Sequence, residues 1–262
     1  SDENRGKLHS ATEAVRCLLD QEELQYVAVV DQDGDHFANE LVSFVRAACG
    51  IVDTLGTNRV MILGRRLSRH RPLGFLRGEL EELADRVLLD ALHYHAALAD
   101  TPLRMEYANL FDEFPDFHSG YKLFSRVSAE DAFLRQPVIP DVSETCHYRH
   151  ACEAVMTVEC LLAGGYLGVV NRSTLNEQPI TTFGLYDRRQ LVADKLIWPC
   201  KRLAIPVHFV QQFLVNHIPR LLLETIVPEG REELREIYRL TLQAFGEELA
   251  QGDLPLLQPL FV

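Results

Sequence analysis

The stretch Tyr26-Val27-Ala28-Val29-Val30 runs directly into Asp31-Gln32-Asp33-Gly34-Asp35. Five β-prone residues in a row predict a buried strand, and the carboxylates come where that strand leaves the sheet. Ligands in open α/β sheets gather at the carboxyl ends of strands. Asp31 and Asp33 are two residues apart, so along an extended chain their side chains share a face. Two carboxylates on one face suit Mg²⁺ or Mn²⁺, so the segment predicts metal-assisted chemistry on a phosphate-bearing substrate.

Length and composition bound the class of protein. The chain has 262 residues, of which 47% are hydrophobic, so it can bury a large core as one domain or as one domain with an appendage. Its net charge of −12 argues against a general binder of nucleic acids or membrane surfaces. The six cysteines are scattered, no signal peptide precedes them, and no apolar run reaches the roughly 18 residues that cross a bilayer. We therefore expect a soluble, cytoplasmic protein with reduced thiols.

Hydrophobic periodicity predicts strands that alternate with helices over the first 170 residues. The predicted strands are 26–30, 60–64, 121–124 and 166–170. The predicted helices are 10–24, which begins with a Ser10–Glu13 capping box, then 39–49, 76–99, 129–134 and 150–163, the last of which ends at Gly164-Gly165. From about residue 187 the pattern is helical, with breaks expected at Pro199, Pro206, Pro219 and Pro228. This order predicts an α/β core over 1–186 and a helical C-terminal extension over 187–262.

Three families place acidic residues in a pattern like that of Asp31 to Asp35. An EF-hand loop needs Gly at its sixth position and Glu at its twelfth, where this chain has His36 and Val42, so we exclude it. A phosphatase of the haloacid dehalogenase type has Thr where Asp35 stands, which makes it a weaker alternative. The third family is the nucleotide-sugar glycosyltransferases, which carry an Asp-x-Asp motif. A solvated acidic turn without function is the alternative if the motif stands alone.

The motif is one of five that follow each other in order. The others are Asn4-Arg5-Gly6-Lys7 before the first helix, Val60-Met61-Ile62-Leu63-Gly64-Arg65-Arg66, Asp116-Phe117-His118-Ser119-Gly120-Tyr121-Lys122, and the helix from Glu153 that ends in Gly165-Tyr166. Over roughly residues 4–185 this order resembles family 2 glycosyltransferases and related enzymes with the GT-A fold. The resemblance implies a GT-A-like, Rossmann-like mixed sheet flanked by helices. Such enzymes normally begin with strands that bind the nucleobase, whereas this chain starts at the later Gly-Lys helix.

The resemblance implies a metal-dependent transferase that moves a hexose from a nucleotide-sugar donor to a hydroxyl acceptor. Asp31 and Asp33 would hold the Mg²⁺ or Mn²⁺ ion, which neutralises charge on the leaving nucleoside diphosphate. The late metal ligand would be Gln178, Asn176 or water. The residues implied for binding the nucleotide sugar are Arg5, Gly6, Lys7, Asp31, Ser119 and Gly120.

On the acceptor side, Glu153 falls where the family has its late acidic residue. In an inverting enzyme it would be the general base that deprotonates the acceptor hydroxyl, with Glu159 as its competitor. The residues implied for acceptor binding are Asp116, Tyr121, Lys122 and His150. We expect no nucleic-acid partner and no transmembrane segment, and homo-oligomers would form through the C-terminal helices.

Two further interpretations stay open at this point. The chain could be a catalytically weak glycosyltransferase-like subunit with a role in binding or assembly, because the expected nucleobase strands are missing. The segment Cys146-His147-Tyr148-Arg149-His150-Ala151-Cys152 also carries four residues of metal-ligating type, although structural zinc sites usually pair two separated knuckles.

Overall fold

The structure, a computed structural model, describes residues 4–31, 36–108, 114–174, 183 and 187–248. For Arg71 only the backbone is described. Asp33, Asn176 and Gln178 lie outside these residues, so nothing is said of their predicted places in a metal site.

Within the described residues, four strands form one open sheet in the order β1-β3-β2-β4. Strand β3 runs antiparallel to both of its neighbours, whereas β2 and β4 are parallel. The strands are β1 (Tyr26–Val30), β2 (Val60–Arg66), β3 (Tyr121–Ser125) and β4 (Tyr166–Arg172). All four predicted strands are confirmed, and three of them extend one or two residues beyond the predicted end. The sheet is mixed, as predicted.

Alternation along the strands separates two cores. In β2, Val60 and Ile62 pack with helix α2 in the smaller core, whereas Met61 and Leu63 face the larger core on the other side of the sheet. This is the period-2 pattern of a strand that is buried on both faces.

Helices cover both faces of the sheet. Their bounds are α1 (Lys7–Leu19), α2 (Leu41–Leu55), α3 (His70–Ala99), α4 (Arg126–Ala129), α5 (Cys152–Leu162), α6 (Arg188–Arg202), α7 (Val207–His217), α8 (Leu223–Ile226) and α9 (Gly230–Gln243). A π-helical turn at Glu130–Leu134 continues α4, and another at Cys146–His150 precedes α5. No helix among the described residues is both long and apolar enough to cross a membrane.

The predicted capping box of the first helix is wrong. Helix α1 begins at Lys7 with Gly6 as its N-cap, so Ser10 lies inside the helix and its hydroxyl donates to the Gly6 carbonyl at 3.3 Å. Gly6 has φ +108°, and a Cβ atom there would lie 2.6 Å from the Tyr148 carbonyl oxygen. The helix therefore starts where only glycine fits, and it starts three residues earlier than the pattern predicted.

Helices α6 to α9 confirm the helical pattern beyond residue 187, but Pro199 does not break it. Pro199 lies inside α6, where ten consecutive residues are buried. An interior proline costs about 3 kcal/mol in a helix, so we attribute its tolerance to this burial. Trp198 and Leu234 belong to the same large core cluster as Leu63 of the sheet. The predicted domain boundary after residue 186 stays a prediction.

Candidate functional site

The geometry of the sheet brings four distant segments to one edge. Strand β1 ends there, and β3 begins there because it runs antiparallel, so the backbone N–H of Asp31 donates to the Gly120 carbonyl at 3.1 Å. Helices α1 and α5 each lead into a strand from that same edge. Lys7, the first residue of α1, therefore lies beside both Asp31 and Glu153, the second residue of α5. We call the position defined by Lys7, Asp31, Gly120 and Glu153 the carboxyl edge of the sheet.

Lys7 is the central cation of this edge. Its Nζ donates to Glu153 Oε1 at 2.5 Å and also contacts Asp31 Oδ1. Burial by itself lowers the pKa of Lys7, but the carboxylates of Glu153 and Asp31 outweigh it and hold that pKa well above its usual value. Lys7 is therefore a permanent ammonium that joins two carboxylates from separate segments.

Glu153 is the most enclosed carboxylate of the edge, with 12% of its side chain exposed. Its Oε2 accepts a hydrogen bond from the Cys152 thiol at 2.8 Å. Burial favours the neutral acid, but Lys7 and then Lys195 and Lys122 outweigh it and hold the pKa of Glu153 below its usual range. Burial, and then the adjacent Glu153, raise the pKa of Cys152, so it stays a thiol donor. With Lys7 in place, Glu153 is ionised and weakly basic.

Gly120 allows the chain to approach Asp31 closely. A Cβ atom at residue 120 would overlap the Asp31 carboxylate. Next to it, Ser119 is fully buried, and its carbonyl accepts from Lys122 Nζ at 2.5 Å. Burial lowers the pKa of Lys122 to about 8, although Glu153 partly opposes that shift. The buried Lys122 thus holds the Ser119-Gly120 turn in place.

The structure places Asp116, which was predicted to bind the acceptor, in the interior of the protein. It is fully buried, and Arg66 holds both of its oxygens, with Nε at 2.7 Å from Oδ2 and Nη2 at 2.6 Å from Oδ1. Arg66 also bonds Glu81 at 2.7 Å. Asp116 therefore supports the end of β2 from inside the protein and leaves no oxygen for a sugar hydroxyl.

Two more predicted acceptor residues are buried and have partners within the protein. Tyr121 is 2% exposed and stacks on Phe44 with ring centroids 4.4 Å apart. His150 is buried, and its Nδ1 lies 2.6 Å from Asp194 Oδ2 of helix α6. Both side chains are therefore enclosed within the protein. Lys122 is also buried, and its ammonium donates to the Ser119 carbonyl next to the site.

The two remaining predicted donor residues lie at the start of α1. Gly6 is buried as the N-cap, and Arg5 is exposed beside it. Within the predicted donor set, the structure brings Asp31 into contact with Lys7 and with Gly120.

Asp31 is the one predicted metal ligand that lies within the described residues, and its side chain is 31% exposed. A hard carboxylate oxygen on an accessible side chain fits Mg²⁺ or Mn²⁺. Among the described residues, no group of three His, Cys, Asp or Glu side chains could hold a metal ion. From the described residues a metal at this edge would therefore have fewer than three such ligands, and substrate or water would complete its coordination.

Sequence reasoning missed Lys195, and it singled out Cys152 only as a candidate zinc ligand. Lys195 of α6 is only 8% exposed and lies 3.7 Å from Glu81. A lysine between Leu191 and Trp198, in a stretch whose other residues are apolar except for Asp194, was the available signal. Nothing in the sequence indicated that the Cys152 thiol would bond the side chain of its own neighbour.

The cysteines and histidines before α5 have separate partners. Trp198 Nε1 donates to His147 Nδ1 at 2.9 Å, and burial lowers the pKa of His147. Cys146 Sγ donates to the Asp194 carbonyl at 3.6 Å. These contacts tie the π-helical turn before α5 to helix α6.

Comparison with models of protein families, with characterised proteins and with solved structures gave no match to this chain.

Proposed function

We propose that this chain is a GT-A-like, metal-dependent glycosyltransferase core that transfers a sugar from a nucleotide-sugar donor to a hydroxyl acceptor. The observation that carries the proposal is the convergence of Lys7, Asp31, Gly120 and Glu153 at one edge of the sheet. These residues belong to four of the five motifs on which the resemblance rests, and they are up to 146 residues apart in sequence. Carboxyl edges of open α/β sheets are where ligands bind.

In this proposal each side chain has one role. Lys7 binds the diphosphate of the donor as a point charge. Asp31 would ligate Mg²⁺ or Mn²⁺, which supplies Lewis-acid neutralisation of the leaving diphosphate when it is bound. The Ser119-Gly120 turn leaves room for the Asp31 carboxylate beside the donor, since a Cβ atom at Gly120 would overlap that carboxylate. Glu153 accepts the proton of the acceptor hydroxyl.

Titration calorimetry with Mn²⁺ and a panel of nucleoside diphosphates tests this proposal. We expect Mn²⁺-dependent binding that is lost in Asp31→Ala. The matched control is Glu22→Gln, which changes an exposed carboxylate in the turn before β1, at the opposite end of that strand. Binding that is equal in wild type, Asp31→Ala and Glu22→Gln would refute the proposed site.

One observation favours a second candidate, a glycosyltransferase-like subunit that binds the donor but turns it over slowly. A general base works best when its pKa lies near the working pH, whereas the pKa of Glu153 is held below its usual range by Lys7. Nucleoside diphosphate binding without any transfer to a panel of hydroxyl acceptors would support this candidate over the enzyme.

A further inference from the structure

The ion pair between Lys7 and Glu153 presents a conflict within the proposed mechanism. Lys7 is needed at the donor diphosphate and Glu153 at the acceptor hydroxyl, yet the Lys7 ammonium lies 2.5 Å from the Glu153 carboxylate. While this ion pair is present, Glu153 Oε1 accepts from Lys7, and the Lys7 ammonium neutralises the charge of the Glu153 carboxylate. In the free protein the Lys7 ammonium is shared by Glu153 and Asp31, so a diphosphate competes with both carboxylates for it.

The contact also has the geometry of one that can be exchanged. Lys7 is the first residue of α1, and 30% of its side chain is exposed, so its ammonium can be reached from the surface. An ammonium has three N–H donors on a flexible four-carbon stem, so it can move between anions without a change in the backbone. A diphosphate carries more charge than a single carboxylate and competes for the same ammonium.

Glu153 keeps other partners when Lys7 leaves. The Cys152 thiol still donates to Oε2, and Lys195 and Lys122 remain close enough to influence its ionisation. Both lysines have other partners, since Lys195 pairs with Glu81 and Lys122 donates to the Ser119 carbonyl. Loss of Lys7 therefore frees Oε1 of Glu153, while the Cys152 thiol still donates to Oε2.

We propose that Lys7 is an exchangeable cation: the donor diphosphate takes its ammonium from Glu153, and this transfer releases the Glu153 carboxylate to receive the acceptor proton. The proposal rests on the proposed function and adds an order to it, with the donor before the acceptor. No covalent bond changes in the exchange. Because the diphosphate and Glu153 compete for Lys7, the Lys7–Glu153 pair weakens binding of the diphosphate, and bound diphosphate weakens that pair.

A double-mutant cycle on binding tests the exchange. The probe is inorganic pyrophosphate, which needs no pocket for a base, with uridine diphosphate as a second probe, each titrated by calorimetry with and without Mg²⁺. Glu153→Gln removes the competing charge at nearly constant shape, and we expect it to tighten binding by about fivefold or more. Lys7→Met weakens binding, and adding Glu153→Gln to Lys7→Met gives no further gain.

The cycle separates exchange from a general field effect. A gain from Glu153→Gln that persists in the Lys7→Met background would mean that Glu153 acts through its charge alone, which overturns the exchange. Wild-type binding that Glu153→Gln leaves unchanged or weakens would overturn the exchange while the proposed function stands. Absence of binding by wild type and by Glu153→Gln would overturn both. Thermal unfolding of each variant checks that it is folded.

Discussion

At the scale of single residues, the site depends on side chains that are absent or buried as much as on those that are exposed. Gly120 matters because it has no side chain where the Asp31 carboxylate lies. Lys122 matters because its ammonium is buried, with the Ser119 carbonyl 2.5 Å away. Both features position the turn next to Asp31, and each can be tested by one substitution.

Gly120→Ala is expected to disturb the carboxyl edge, because its Cβ would overlap the Asp31 carboxylate and force that side chain to move. We expect a loss of about 1–3 kcal/mol in the free energy of unfolding, as is typical of overpacking, together with weaker pyrophosphate binding. Gly50→Ala is the matched control, since it lies in α2 with nothing within 4 Å of its added Cβ. It should gain about 0.5–1 kcal/mol through helix propensity. Chemical denaturation measures both, and equal effects would contradict this account of Gly120.

Lys122 predicts a rise in stability at alkaline pH. Its pKa falls from 10.5 to about 8 on folding, so the unfolded chain binds the proton more tightly between these values. Stability should therefore increase as the pH rises from about 8 towards 10.5, by at most about 3 kcal/mol. Lys122→Met should flatten this part of the profile in urea unfolding at a series of pH values. An unchanged slope in Lys122→Met would refute a depressed pKa at this residue.

At the scale of elements, helix α6 packs against α5 and holds that helix in place. Arg202 of α6 holds Glu159 of α5 through two bonds of 2.5 and 2.8 Å, and Trp198 donates to His147 in the turn that precedes α5. These contacts connect the C-terminal helices to the helix that carries Glu153.

Trp198→Phe should weaken this connection. It removes the N–H that donates to Nδ1 of the half-buried His147, and the smaller ring leaves a cavity where the fully buried indole was. Together these changes should cost about 1–3 kcal/mol. Thermal unfolding should therefore show a lower Tm. Leu98→Ala removes a leucine that is 71% exposed in α3, and it should change stability by less than about 0.5 kcal/mol. A Trp198→Phe protein as stable as Leu98→Ala would contradict the supporting role of α6.

The sequence was sufficient to place the strands but not the contacts of the site. Runs such as Tyr26–Val30 are rich in valine and bounded by turn residues, so pattern and composition both predict strands there. The start of α1 was missed because it depends on the Tyr148 carbonyl, 142 residues away, which only glycine can approach. Asp116 reads as an ordinary loop carboxylate until folding brings Arg66 onto it. Long-range ion pairs of this kind leave no local pattern in a single sequence.

At the scale of the whole molecule, buried ion pairs link stability to acid pH. Burial works against the charged forms of Glu81 and Asp116, but arginines outweigh it, so the pKa of each carboxyl is lower in the folded state than in the unfolded chain. Their contribution to stability is complete above the unfolded pKa values of about 4 and is lost as the pH falls below them.

Asp116→Asn should lower the free energy of unfolding by about 3–5 kcal/mol at pH 7. The amide keeps one oxygen that can accept from Arg66, so the buried guanidinium loses its second hydrogen bond and its counter-charge. It should also lose less stability than wild type between about pH 5 and pH 2, since one of the linked carboxyls is gone. Urea unfolding at a series of pH values measures both effects. Parallel pH profiles for wild type and Asp116→Asn would show that this pair does not set the acid sensitivity.

We propose that the carboxyl edge of the sheet transfers sugars from nucleotide donors. The most direct measurement is the release of nucleoside diphosphate from a panel of nucleotide sugars, with hydroxyl acceptors and Mn²⁺ or Mg²⁺ present. We predict release from at least one donor by the wild-type chain, dependence on the added metal, and loss of release in Asp31→Ala but not in Glu22→Gln. Release that survives Asp31→Ala, or no release from any donor, would contradict the claim.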